Sequence, residues 1–250
     1  MSHAPVPTPR SFLLLSAIVA LLAATQASGA PSAAPAEAGP PTLASSWTAS
    51  LTRGVTARSA PRIDAKAVAR VDRVTAFWRR PQRLLVLSGV TTDAKGNGWV
   101  RVRLPDRPNR SSGFIPVAAA RLATTPLRLR VEVSGRRVQL LKHGNVLASY
   151  RAAVGNAATP TPTGLFAIQD PVPSSAQQRS YLGPYILTLT AYSSVLKTFM
   201  GGNGLVAIHG TTADNLLGQA VSNGCVRINN AAVTRLYNLV RPGTPVEIVP

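Results

Sequence analysis

The chain has one cysteine, three histidines and nine acidic residues, and it has no apolar run long enough to cross a membrane. Each shortage excludes something. A lone cysteine, Cys225, cannot form an internal disulfide, so an exported chain keeps it either as a small buried side chain or as a free thiol held for reaction. One cysteine with one neighbouring histidine falls short of the three or four ligands of a zinc site, and no metal or cofactor is expected. The uncharged run Phe12 to Ala24 is shorter than the roughly 20 apolar residues of a membrane span. With Arg10 before it and Ala27, Ser28, Gly29 and Ala30 after it, residues 1–30 have the layout of a secretory signal peptide. Export is therefore expected, with an uncleaved membrane anchor as the alternative.

Scarce acid leaves a formal net charge of +18, from 27 Lys plus Arg against nine Asp plus Glu. Residues 45–123 hold 15 basic and 4 acidic side chains, a balance of +11, and residues 126–250 hold 11 and 4, a balance of +7. A field of this sign draws a protein to anionic polymers, of which nucleic acid is the usual one. Export excludes nucleic acid and leaves extracellular polyanions and lipid head groups. Codon composition gives the same bias, because 23 of the 27 cations are Arg in a chain also rich in Ala and Pro.

Pro, Ala, Ser and Gly dominate from Ala30 to Pro41, so residues 31–44 read as a Pro/Ala-rich flexible linker. The remainder divides at Ala123-Thr124-Thr125-Pro126 into two domains, 45–123 and 126–250. Apolar residues alternate on both sides of that seam: Trp99, Val100, Val102 and Leu104 before it, and Leu127, Leu129, Val131 and Val133 after it. Period-two patterning with dense turn signals, such as Lys95-Gly96-Asn97-Gly98 and His143-Gly144-Asn145, predicts a mainly β protein. The exception is Asn230 to Val240, where Val233, Leu236, Tyr237 and Val240 recur at helical spacing behind an Asn cap.

Chemistry concentrates in one segment. Cys225 follows Ser222-Asn223-Gly224, and Gly224 lets a substrate approach the backbone. The apolar run Leu205-Val206-Ala207-Ile208 predicts a buried strand that delivers His209 to its end. His3 leaves with the signal peptide and His143 lies in a solvated turn, so His209 is the candidate base. A nearby imidazole is expected to lower the thiol pKa from about 8.5 toward roughly 3.5–7.5. Main-chain N–H groups of Gly224 and Cys225 are the natural oxyanion donors.

The runs His209-Gly210-Thr211, Leu217-Gly218, Ser222 to Asn230 and Pro242 to Ile248 resemble the catalytic domain of YkuD-type L,D-transpeptidases. Val154-Gly155 and Thr161 to Phe166 extend the resemblance over about residues 126–250. More weakly, Gly98 to Val102, Leu104-Pro105, Arg107 to Asn109 and Gly113 to Ile115 resemble the SH3-like domain of actinobacterial members. The resemblance implies an SH3-like barrel followed by a β-sandwich with a few short helices. It also implies that Cys225 forms an acyl-enzyme on a peptidoglycan tetrapeptide stem, releases D-alanine and passes the acyl group to an amine as a 3→3 cross-link. His209 carries the proton, and Gly210 orients the imidazole through its carbonyl. Arg227 holds a stem carboxylate or makes a structural ion pair. Ser222 and Asn223 border the substrate, and Tyr192 and Ser193 line the groove on resemblance alone. Carbapenems are implied inhibitors, and cell-wall association is implied as the location. Most members have a second histidine where this chain has Asn223, which leaves proton transfer to His209.

Other readings compete. A sortase places its arginine farther from the cysteine, and papain-like peptidases place Cys before His. A non-catalytic wall-binding protein with a degenerate site is the remaining alternative, with anionic wall polymers as partners of the basic surface.

Overall fold

Alternating residues on both sides of Pro126 form the strands that their period predicts. The computed structural model describes Met1, residues 38–199 and residues 201–250, so the signal peptide expected over 1–30 lies, Met1 apart, outside the described residues. The N-terminal half contributes β1 (Ser46–Leu51), β2 (Val55–Arg58), β3 (Ala67–Val71), β4 (Arg83–Leu85), β5 (Thr91–Thr92), β6 (Gly98–Arg103), β7 (Ser112–Pro116) and β8 (Ala120–Thr125). They form a three-stranded sheet, β4-β1-β8, and a five-stranded sheet, β3-β2-β7-β6-β5. Leu84, Val100, Val102, Leu104 and Ile115 fill the space they enclose.

The C-terminal half contributes β9 (Leu127–Glu132), β10 (Arg137–Lys142), β11 (Asn145–Arg151), β12 (Val154–Gly155), β13 (Gly164–Pro173), β14 (Tyr185–Tyr192), β15 (Leu205–His209), β16 (Ala220–Ser222), β17 (Val226–Arg227) and β18 (Pro245–Val249). Eight of these make one sheet in the order β11-β10-β9-β18-β13-β14-β15-β17, while β12 and β16 pair in parallel beside it. Two helices accompany them. The first, α1 (Ala176–Leu182), starts at a capping box in which Ser175 Oγ accepts from Gln178 N–H and Gln178 Oε1 accepts from Ser175 N–H. The second, α2 (Asn230–Leu239), is capped by Asn229, whose Oδ1 accepts the Ala232 N–H at 2.7 Å.

The two faces of the large sheet have different fates. Phe166, Ile168, Leu187, Leu189, Val206 and Ile208 point to the face that α2 covers with Val233 and Leu236. Burying a side chain of this size contributes about 1.5–3 kcal/mol, so this face anchors the fold. Val172, Ile186 and Ala207 turn to the opposite face and form a small separate cluster that includes Leu182 and Cys225. Register explains the sidedness, since Val172 stands opposite Ile186 and Ile186 opposite His209. A bulge alters one row. Ile168 pairs with Leu189 but Pro171 pairs with Leu187, so Gln169 and Asp170 together stand opposite Thr188.

That bulge meets the N-terminal half. Asp170 is fully buried close to Thr75 and Arg80, and the loop after β6 packs against the end of β14. Arg107 donates to the carbonyls of Ser193, Leu196 and Asn203, and Asn109 exchanges two hydrogen bonds with the Tyr192 backbone. The expected linker also departs from its reading at its C-terminal end. Ala38 is buried in the N-terminal core and the Thr42 carbonyl accepts from Arg128 at 2.7 Å, so residues 38–44 are docked. A small apolar side chain and a free carbonyl were enough to hold that stretch. Among the described residues no helix is long and apolar enough to cross a membrane.

Candidate active site

His209 ends β15 because the apolar run before it is committed to the sheet and the glycine after it lets the chain turn. Val226 and Arg227 pair in parallel with Ile208 and His209, which sets Cys225 beside Ala207 and Arg227 beside His209. Ala207, His209, Cys225 and Arg227 thus share one face of the sheet. The alternation of strand side chains, rather than sequence proximity, brings thiol, imidazole and guanidinium together.

The imidazole is held firmly. His209 is 3% exposed, and its Nδ1 lies 2.6 Å from the Gly210 carbonyl, which fixes the N–H on Nδ1 and leaves the Nε2 lone pair as the base. Gly210 tolerates no side chain: a Cβ there would stand 2.3 Å from Asn230 Oδ1, the acceptor of the Thr211 N–H. Gly183, at φ +64°, presses on the same asparagine. Two glycines against one amide let the chain at Leu182 close over the imidazole. Burial lowers the His209 pKa to about 4, more than the Gly210 and Leu182 carbonyls raise it, and the Arg227 charge lowers it further.

The thiol departs from its expected state. Cys225 keeps partial surface exposure, yet the protein around its sulfur raises its pKa, and the Ala207 backbone and Arg227 offset only part of that. The expectation of a thiol depressed by its histidine is therefore corrected for the free protein. Apolar packing by Leu182, Val172 and Ile186 disfavours the thiolate.

The turn before the cysteine rests on a second loop. Gly224 has φ +106°, a conformation that favours glycine. Ser222 is fully buried, and its Oγ donates to the Cys225 carbonyl while accepting the Gly224 N–H at 3.1 Å. The Gly224 N–H is thereby occupied, which corrects its reading as an oxyanion donor. No acceptor among the described residues takes the Cys225 N–H. Thr161 Oγ1 joins the Gly155 N–H to the Gly224 carbonyl, and Thr159 and Asn156 both donate to the Ser222 carbonyl. Gly155 is required because a Cβ there would lie 2.4 Å from the Thr159 carbonyl oxygen. Sequence reasoning did not single out Thr161, Gly155 or Leu182 as site residues. A threonine beside a proline–glycine turn carries no signal of its contact 63 positions away.

The substrate-side residues are placed unevenly. Arg227 is half-buried with its Nε unpartnered, and no acidic side chain pairs with it among the described residues. Asn223 is exposed beside the cysteine. Tyr192 and Ser193 do not line the thiol's groove: Tyr192 pairs with Leu205, at the end of β15 away from His209, about 13 Å along the strand. Both are buried under the N-terminal half, where the Tyr192 hydroxyl donates to the Pro105 carbonyl. A surface depression of about 740 Å³ between Leu147 and α2 lies across the sheet from the cysteine and holds no nucleophile or acid. Among the described residues no cluster of His, Cys, Asp and Glu could hold a metal ion.

A thiol, an imidazole oriented by a backbone carbonyl and, among the described residues, a backbone N–H without an acceptor are the parts that a cysteine-dependent acyl-transfer site requires. The model of the L,D-transpeptidase catalytic domain, YkuD, matches residues 126–248, and the chain belongs to this family of cysteine-dependent peptidoglycan transpeptidases. The YkuD protein of Bacillus licheniformis is 35% identical over 127 residues, covering 51% of this chain and 68% of that protein. The YkuD protein of Bacillus subtilis is 35% identical over 126 residues, covering 50% and 67%. A solved structure, the Ldtfm–avibactam carbamoyl enzyme, is 18% identical with a TM-score of 0.40, over 50% of this chain and about half, 49%, of that one.

Proposed function

We propose that this protein is exported and joins peptidoglycan stem peptides, using Cys225 as nucleophile and His209 as the sole proton carrier. The observation that carries the reading is the Nδ1–Gly210 contact of 2.6 Å, which presents Nε2 on the sheet face that Cys225 shares. Substrate binding brings the tetrapeptide carbonyl to Sγ. The thiol proton passes to His209 Nε2 as sulfur attacks, and the carbonyl oxygen gathers charge against the Cys225 N–H. Collapse of the adduct breaks the bond to the terminal D-alanine, whose amine takes the proton from Nε2, leaving a thioester. An incoming amine then attacks the thioester carbonyl, gives its proton to Nε2, and expels sulfur, which recovers the proton. A proton in flight suits a neutral pair, since neither group must hold a charge before the substrate arrives. Arg227, free of an acidic partner, is the residue for a stem carboxylate.

Residues 45–123 fit an SH3-like accessory domain, and the basic surface fits attraction to anionic wall polymers. Incubating the purified protein with a tetrapeptide stem tests the main reading. Released D-alanine and a mass-detected thioester are expected, and a carbapenem is expected to leave an adduct that Cys225→Ala abolishes. A raised thiol pKa and Asn223 in place of a second histidine favour one rival, a wall-binding protein with a silent site. No D-alanine release and no adduct would select that rival.

A further inference from the structure

Three peptide units surround the nucleophile, and a side-chain hydroxyl holds one polar group of each. The unit between Asn223 and Gly224 is held through its N–H, which donates to Ser222 Oγ at 3.1 Å. The unit after Cys225 is held through its carbonyl, which accepts from the same hydroxyl. The unit between Gly224 and Cys225 is held through its carbonyl, which accepts from Thr161 Oγ1 at 3.1 Å. This last unit carries the open donor, since the Cys225 N–H has no acceptor among the described residues.

The Thr161 hydroxyl is committed to that carbonyl. Thr161 is 4% exposed, and its Oγ1 accepts the Gly155 N–H at 2.9 Å, which leaves its single hydrogen for the Gly224 oxygen. Its backbone is confined as well, because Gly155 packs so closely on Thr159, Pro160 and the Thr161 nitrogen that no Cβ fits between them. Planarity turns this bond into a direction. The carbonyl and the N–H leave a trans peptide from opposite edges, so pinning the Gly224 oxygen to Thr161 turns the Cys225 N–H away from the loop over 156–161. Gly224, at φ +106°, has no Cβ to hinder rotation of that plane, and the hydroxyl supplies the missing restraint. A carbonyl that accepts a hydrogen bond also polarises its amide, which makes the N–H a stronger donor.

We propose that Thr161 is a positioning residue of the acyl-transfer site, whose hydroxyl fixes the Gly224–Cys225 peptide so that the Cys225 N–H meets the oxygen that gains charge. The proposal rests on the reading of Cys225 as the acylated nucleophile. It adds to that reading a residue 63 positions before Gly224, which touches neither substrate nor sulfur and acts through the peptide alone.

The test compares two reactions of the full chain at one thiol. A carbapenem acylates Cys225 through a carbonyl whose oxygen gains charge, whereas iodoacetamide alkylates it by displacing iodide and calls on no oxyanion donor. Thr161→Val removes the hydroxyl at nearly constant volume, and Thr161→Ser keeps it. The Val variant is expected to acylate about tenfold to 100-fold more slowly, while its alkylation at alkaline pH stays within about twofold of wild type. The Ser variant is expected to retain most of the acylation rate. In the adduct, the acyl carbonyl stretch is expected at higher wavenumber in the Val variant, since an oxygen freed from its donor leaves a stiffer C=O bond. Thr159→Val removes a neighbouring hydroxyl whose acceptor, the Ser222 carbonyl, keeps the Asn156 N–H, and is expected to change acylation by less than about threefold. With the tetrapeptide stem, Thr161→Val is expected to lower kcat at unchanged KM.

Acylation and alkylation falling together in the Val variant would overturn the proposal. So would unchanged acylation, or a Ser variant no faster than Val. Melting curves accompany each protein, and Thr161→Ala stands in where Val does not fold. Failure of both to fold beside a folded Ser variant assigns Thr161 to stability alone and also overturns the proposal. A wild type that the carbapenem acylates but that releases no D-alanine sinks the transpeptidase reading and leaves the Thr161 comparison intact. A wild type acylated by neither donor overturns both.

Discussion

Arg107 lays its guanidinium over the ring of Tyr192, with Cζ 4.8 Å from the ring centroid, and so joins the two halves of the chain. The same guanidinium donates to three carbonyls on the segment between β14 and β15, at 2.8, 3.0 and 3.1 Å. Hydrogen bonds from a charged donor are worth about 1.5–3 kcal/mol each when the acceptors are left unpaired by its loss. Arg107→Ala is therefore expected to lower the melting temperature by several degrees, whereas Arg62→Ala, which removes an exposed ion pair, leaves it unchanged. Equal melting of both variants in a thermal scan would show that the halves do not depend on this clamp.

Alkylation tests the neutral resting pair. Because burial raises the Cys225 pKa and lowers that of His209 to about 4, the reaction with iodoacetamide is expected to be slow at pH 6 and to rise through the alkaline range. A plateau of fast reaction at pH 6 would mean a preformed thiolate–imidazolium pair. The histidine also leaves a mark on stability. Its folded pKa lies below the unfolded value of 6.5, so the stability it contributes is present above pH 6.5 and is lost as pH falls toward 4.

Asp170 gives the opposite sign. Burial raises its pKa, Thr75 and Arg80 lower it less, and neither carboxylate oxygen has a partner at full hydrogen-bond distance and angle among the described residues. A carboxyl with a raised folded pKa favours folding when protonated and opposes it once ionised. Asp170→Asn is expected to stabilise the protein at pH 7 by about 1–3 kcal/mol, the cost of an unpaired buried polar group. The advantage shrinks as pH falls through the folded pKa of Asp170. Urea denaturation of both proteins at pH 7 and at pH 4 measures it.

Gly210→Ala places a Cβ 2.3 Å from Asn230 Oδ1 and displaces the carbonyl that orients the imidazole. D-alanine release is expected to fall by about 10²-fold, within the range that general acid–base catalysis supplies. Adding Asn230→Ala removes the obstructing oxygen and is expected to restore part of the rate. No recovery in the double variant would place the loss elsewhere than in this contact.

Charge makes a prediction for the whole chain. With +11 on residues 45–123, retention of the protein on isolated wall material is expected at low salt and lost at high salt, because exposed charges are screened within about 8 Å at physiological ionic strength. Retention indifferent to salt would remove the electrostatic account.

The sequence by itself determined the candidate nucleophile, the candidate base and the strand that carries the latter. A cysteine without a partner, a glycine before it and a histidine at the end of an apolar run are local features, and local features survive reading in one dimension. Period two likewise determined the strands, because strand side chains alternate whatever the sheet order. Only the tertiary structure decided which faces those strands present. Parallel pairing of β15 with β17 put Cys225, His209 and Arg227 on one face, and packing by Leu182, Val172 and Ile186 then raised the thiol pKa that proximity to histidine alone would have lowered. The same face carries the bulge at Gln169 and Asp170, two polar residues that look solvent-bound in sequence and are buried by a half of the chain folded from residues 45–123. Tyr192 lies at the wrong end of β15 to reach the thiol for the same reason: register is set by pairing between distant strands, and no local pattern records it.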